Sequence, residues 1–194
     1  MDELIDSTED YIEIRNKPGF IAYSKSETNL NKDNIIVKAI FDLGTKYKME
    51  EIVSVLINAE QRTKWDNSVR EYVMDKQYDN CLMLKRYEVI FPMPLMQNRE
   101  FVEKQLAFNS KGKFYVYSSS VDNSLEPLKP TLTRATTFIC GSRIVQDGDS
   151  IKITMISQMD MKLLFPTSLL SGRMADEMEQ FKIKFLKQID KIIN

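Results

Sequence analysis

A single basic side chain on an otherwise apolar strand face is the best candidate for chemistry in this 194-residue sequence. Read with the two-residue period of a strand, Arg134 falls on the same side as Leu132, Phe138 and Cys140. A guanidinium placed there could clamp a phosphate or pair with a carboxylate of the protein itself, and residue type does not choose between the two. Acid–base chemistry by paired carboxylates needs two acids on one inward face. The sequence offers only scattered acids, such as Glu88 and Asp160. With no histidine and two cysteines, Cys81 and Cys140, most zinc sites, every histidine general base and every Ser-His or Cys-His nucleophile are removed. Six glycines form neither a G-x-G-x-x-G nor a P-loop, so nucleotides have no cradle. The expectation is a protein that is not an enzyme and holds no metal and no cofactor.

Charge narrows the partners. Lysine and arginine total 27 against 28 for aspartate and glutamate, which leaves little field to hold a polyanion, and nucleic acid is not expected. Both cysteines sit in apolar, strand-like runs about sixty residues apart, the pattern of buried free thiols in a reducing, cytoplasmic setting. The acidic start Met1-Asp2-Glu3-Leu4-Ile5-Asp6 resembles no signal or transit peptide, and no stretch nears the ~18 apolar residues of a membrane span. Asp2 and the final Lys191-Ile192-Ile193-Asn194 fit no lipidation motif, so any membrane association is expected to be reversible.

These residues need elements to position them. Residues 11–24, interrupted by the turn Lys17-Pro18-Gly19, and 34–43 read as strands. From 48 to 60 the spacing of Met49, Ile52, Val53, Leu56 and Ile57 predicts an amphipathic helix. Six further strands follow at 69–76, 80–91, 100–109, 113–121, 132–146 and 150–161, joined by connections too short for parallel crossovers, which predicts an antiparallel meander. After Pro166 the period changes: Met174, Met178, Phe181, Phe185, Ile189 and Ile192 form the stripe of a long terminal helix with one buried face. The fold class expected is α+β, one domain over residues 1–194, with residues 1–10 a poorly structured or helical extension.

Three ordered stretches resemble the START family, the steroidogenic-acute-regulatory-protein-related lipid transfer domains. They are Arg62-Thr63-Lys64-Trp65-Asp66, then Phe91-Pro92-Met93-Pro94 with Asn98-Arg99-Glu100-Phe101-Val102, then Met159-Asp160-Met161-Lys162 with Phe165-Pro166, and Arg134-Ala135 lies upstream of the third. The resemblance implies a helix-grip: a curved antiparallel sheet wrapped around the C-terminal helix, with an internal tunnel that takes one lipid. It also implies a monomer that binds a sterol, phospholipid, ceramide or related lipid and meets a membrane surface transiently to move it. The segment 91–94 with Asn98-Arg99 looks most like the phosphatidylcholine-transfer branch. A lipid-sensing adaptor and a helix-grip enzyme acting on a hydrophobic substrate stay open as alternatives.

In such a tunnel Met155 and Met159 on the last strand and Met174, Met178 and Phe181 on the helix, with Phe138, would line the acyl region, each buried methylene gaining ~0.8 kcal/mol. Met packing in an ordinary core reads the same way. Arg134 and Gln105 would meet the polar end. Gln105 stands where family members often carry a second arginine, and an amide can bond a hydroxyl or ester but cannot neutralise a phosphate, which adds weight to a neutral lipid or sterol. Leu163 replaces the usual glycine after Lys162. Trp65, Asp66, Arg99, Glu100 and Phe101 are read as structural. Leu125 and Leu128, on the proline-containing stretch 122–132, with Gly172 at the start of the last helix, form the expected gate.

Overall fold

The computed structural model describes residues 2–26, 35–79, 81–91, 96–122, 127–163 and 167–193. A short helix α1 (Asp2–Asp6) precedes strands β1 (Ile12–Lys17), β2 (Phe20–Ser26) and β3 (Ile35–Asp42). Helices α2 (Met49–Ile57) and α3 (Ala59–Trp65) lead to β4 (Val69–Gln77), β5 (Leu82–Val89), β6 (Arg99–Ser110) and β7 (Lys113–Ser120). The chain finishes with β8 (Thr133–Arg134), β9 (Thr136–Asp147), β10 (Ser150–Asp160), a 3-10 turn at Thr167–Leu170 and α4 (Ser171–Ile193).

Nine strands run in the order β1-β2-β3-β10-β9-β7-β6-β5-β4, each antiparallel to its neighbours, and β8 pairs with β6. The meander expected from 69 onward is present as β4 to β7 and again as β9 and β10, with a curled sheet closed over by the long helix. Strand bounds agree with the sequence reading to within two residues or so, because alternation and turn residues act locally. At Gly19, for example, φ is +67° and an added Cβ would stand 3.0 Å from the Asp42 carbonyl, so this hairpin turn tolerates only glycine comfortably.

Three local expectations are corrected. The single helix of 48–60 is two, because Asn58 leaves helical geometry and its side chain accepts the Gln61 N–H at 3.1 Å, capping α3. Strand 132–146 is broken at Ala135, and β8 runs parallel to β6, so antiparallel pairing is not universal. The chain can do this because β7 and a long connection carry it back to the start of β6. Ile192, expected on the buried stripe, is 55% exposed, since the last turn of α4 runs past the sheet.

The core lies where α4 and α2 cover β1 to β3 and the adjoining part of β10, β9 and β7. Phe20, Phe41, Phe114, Ile144, Ile153, Ile52, Val55, Ala175, Phe185 and Ile189 form one buried cluster. Trp65 completes it, its ring 5.7 Å from that of Phe181 and 5.9 Å from Phe185. Asp66 fastens α3 to α4: it accepts from Arg62 Nε at 2.9 Å and the Ser68 amide at 3.2 Å, and Lys184 Nζ stands 3.5 Å away. Burial alone would push the Asp66 carboxyl up, but Arg62, Ser68 and Lys184 outweigh it and hold it below the usual range. On the convex side α1 lays Ile5 against Ile36 and Ile156, and Asp2 and Asp6 pair with Arg143.

Candidate ligand-binding face

Strand register sorts the inner face of the sheet into rows, and the rows change character from one end to the other. The first contains Phe20, Phe41, Ile153, Ile144 and Phe114, all buried under α2 and α4. The next, two residues along each strand, is Ala22, Ala39, Met155, Ser142, Val116 and Ala107. The third is Ser24, Val37, Ser157, Cys140, Ser118, Gln105 and Met83. Side chains therefore shrink and turn polar along the strands, while α4 leans on β1, β2 and β3. Small residues facing a helix that stays to one side leave space, because nothing on the sheet reaches across to fill it.

Cys140 points to such a space. It sits on the inner face of central strand β9, deep enough that burial, with Glu103, pushes its thiol up to about 11. Its surface is nonetheless only partly covered. From the middle of the inner face, accessible surface can open only onto the volume that the curled sheet encloses. With its thiol held this high, little of Cys140 is thiolate at pH 8, so alkylation should be slow beside that of Cys81, which is exposed rather than buried as its run suggested, and a lipid filling the space should abolish it. Peptide mapping after iodoacetamide labelling, with and without added lipid, checks this. Cys140 labelling unaffected by any lipid tested would argue against an occupant here.

At the polar end a buried network spans three strands. Glu103 is fully buried on β6; its Oε1 accepts from the Thr137 hydroxyl at 2.6 Å and the Tyr87 hydroxyl at 3.0 Å. Lys85 Nζ on β5 stands 3.1 Å from Glu103 Oε2 and donates to Gln105 Oε1 at 2.8 Å. Desolvation pulls the Lys85 ammonium down, but the charges around it win and raise it. With Cys140 kept as a neutral thiol, the Glu103 carboxylate is the partner that matters. Burial first, then Glu103, drives the Tyr87 phenol well above its ordinary value, so its hydroxyl stays a donor. The rings of Tyr72, Tyr87 and Phe101 stack alongside, at 5.4 and 4.9 Å between centroids.

The residues expected at the site are distributed unevenly around this network. Gln105 is in it, and Phe138, Met155, Met159, Met178 and Phe181 are partly buried, Met155, Met178 and Phe181 against the main core. Met174 is partly buried at the start of α4. Arg134 takes the second of the two uses open to it: Nε and Nη2 grip Glu100 Oε2 at 3.0 and 2.9 Å. Glu100 is out of phase with Phe101, Glu103 and Gln105 along β6, so this pair lies off the face that carries the network. The strand parity that placed Arg134 beside Cys140 is interrupted at Ala135, and again at Phe138, the extra residue where the register of β9 shifts against β10. Leu128 is 54% exposed, Gly172 lies in the first turn of α4 with open space around its α-carbon, and Leu125 lies outside the described residues.

Sequence reasoning missed Lys85, Tyr87, Glu103 and Thr137. The signal was there: Met83, Lys85 and Tyr87 alternate on β5, as do Phe101, Glu103 and Gln105 on β6. A search for one lone charge passes over two opposite charges that face each other across neighbouring strands.

Comparison with solved structures bears on what such an architecture is. Human STARD10 superposes at a TM-score of 0.87 with 18% identity over 98% of this chain and 77% of its own. The chain has the START helix-grip fold. Human StAR-related lipid transfer protein 5 matches at 0.86, with 16% identity, over 100% of this chain and 94% of that one. A STAR-related lipid transfer protein fragment from Xanthomonas axonopodis matches at 0.75, with 16% identity, over 94% and 99%. No family model and no curated protein matches this chain. These likenesses define the helix-grip and do not single out the phosphatidylcholine-transfer branch.

Proposed function

We propose that this helix-grip protein binds one lipid between the sheet and α4 and carries it between membranes as a monomer, without transforming it. The observation that carries the reading is the graded inner face, apolar and covered by helices at one end, small and polar with Cys140 partly exposed at the other. An acyl chain or ring system would lie along Met155, Val116 and Met178, and the polar end would meet Gln105 and its network. The named fold of the matching lipid transfer proteins supports the same use.

Delivery needs a face that touches membrane. Arg99 donates from Nε to the Met161 carbonyl at 2.8 Å and pairs in the sheet with Thr133, which brings the chain after 127 and the chain before α4 to one end of the molecule. Leu128 and Leu169, 54% and 73% exposed, are apolar side chains on these two segments that could enter a bilayer interface. Among the described residues no helix is long and apolar enough to cross a membrane.

Native mass spectrometry with lipid extraction on protein purified from cells, followed by transfer of labelled lipid between vesicles, tests the proposal. A single co-purified lipid class that also exchanges is the expected result. Protein that stays empty and moves neither cholesterol nor phosphatidylcholine would overturn it. A bound hydrophobic molecule recovered chemically altered would favour an enzyme instead.

A further inference from the structure

The polar network already contains a cation of its own. Lys85 Nζ lies 5.3 Å from the centroid of the Tyr87 ring and 5.9 Å from that of Tyr72, and 3.1 Å from Glu103 Oε2. Aromatic faces beside a carboxylate are what a quaternary ammonium seeks. Here both are engaged by the protein's own ammonium, which is only 7% exposed and held by a hydrogen bond to Gln105 and an ion pair with Glu103.

We propose that Lys85 is a specificity residue, a built-in ammonium that excludes choline and other cationic headgroups and leaves the site to an uncharged lipid whose polar end is an alcohol. This rests on the reading of an interior lipid site. The hydrogen-bonding capacity left over fits a hydroxyl. Gln105 Nε2 has only a long contact, 3.7 Å, to the Met83 sulfur, so it can donate to the incoming oxygen. Glu103 Oε2 has no hydrogen bond beyond the Lys85 ion pair and can accept the hydroxyl proton. In the row of Gln105, beyond Cys140, the buried Ser157 Oγ has no partner either. A phosphate fits poorly, since Lys85 is already neutralised by Glu103 and an anion would meet that carboxylate. Arg134 is engaged with Glu100.

The test offers the protein vesicles containing phosphatidylcholine, cholesterol and diacylglycerol in equal parts and reads the bound lipid by native mass spectrometry. Wild type should load cholesterol or diacylglycerol over phosphatidylcholine. Lys85→Met removes the ammonium beside the Tyr72 and Tyr87 rings and leaves the carboxylate without its cation, and should shift the ratio toward phosphatidylcholine by about tenfold. Lys85→Met/Glu103→Gln removes the carboxylate as well and should reverse most of that shift. If Lys85→Met does not fold, Lys85→Gln keeps a polar group facing Glu103 while removing the charge, and is read in the same way. Phosphatidylcholine loaded by wild type as readily as the alcohols, or an unchanged ratio in a folded Lys85 variant, would overturn the assignment while leaving a lipid carrier intact. Wild type that loads none of the three would overturn the interior site itself.

Discussion

Glu103→Leu should destabilise the protein by about 3–5 kcal/mol, which in a chain of this size lowers the melting temperature by roughly 10 °C. The cost comes from what is left behind. Lys85 would remain in the interior with Gln105 as its remaining polar partner, and the Tyr87 and Thr137 hydroxyls would lose their common acceptor. Replacing both ends of the pair, as in Lys85→Met/Glu103→Leu, removes the orphaned charge and should restore most of the stability or exceed it. Thermal and urea unfolding of the two variants checks this directly. A double variant no more stable than Glu103→Leu would mean that the pair stabilises the fold outright. Recovery would instead mean that a buried ion pair is kept in a cavity wall for some use other than stability.

The second large effect is expected at Phe185, the side chain on which the helix grips. Phe185 is fully buried, stacks on Phe181 at 5.5 Å between centroids and meets Trp65 at 5.9 Å. Truncation to alanine deletes a ring where α4, α3 and the first row of the sheet converge, and should cost about 3–5 kcal/mol in urea unfolding. Ile192→Ala, at the exposed end of the same helix, should stay within about 0.5 kcal/mol. Equal losses at the two positions would contradict the placement of the core. Because Phe185 lies over the apolar first row, Phe185→Ala should also open room at that end of the inner face, which adds to rather than removes space for an apolar ligand.

Most of the fold was readable because its determinants are local. Alternation in 82–89 and 99–110, glycines at the hairpin turns and the three-to-four spacing from Met174 to Ile189 each act within a few residues. The break at Asn58 was also local, an asparagine able to cap, but apolar periodicity ran through it and hid it. The site was less readable for a different reason. Which charges share an enclosure depends on register between strands, and Lys85 and Glu103 meet only because β5 and β6 pair with Lys85 opposite Glu103. Arg134 failed the parity argument because the chain spends extra residues at Ala135 and Phe138, and neither announces itself by residue type. Trp65 and Asp66 were readable as structural from size and polarity, while the pairing of Asp66 with Arg62 and Lys184 depended on how α3 meets α4.

Strand order carries a consequence for how the chain acquires its shape. β3 cannot be flanked on its inner side until β10 arrives, and their pairing sets Asp42 against Lys152, so roughly a hundred residues must be made between the two halves of one ladder. β4, which follows β3 through α2 and α3, goes to the opposite rim and offers β3 no interim neighbour. The β1-β2-β3 sheet emerging early from the ribosome therefore presents Ile35, Val37, Ala39 and Phe41 along an open edge, with the helix that will cover it still unsynthesised. Most ladders join strands that follow one another in the chain, so closing β3 on β10 is expected to be the slow step, and the nascent intermediate before it is the species of this protein most exposed to aggregation.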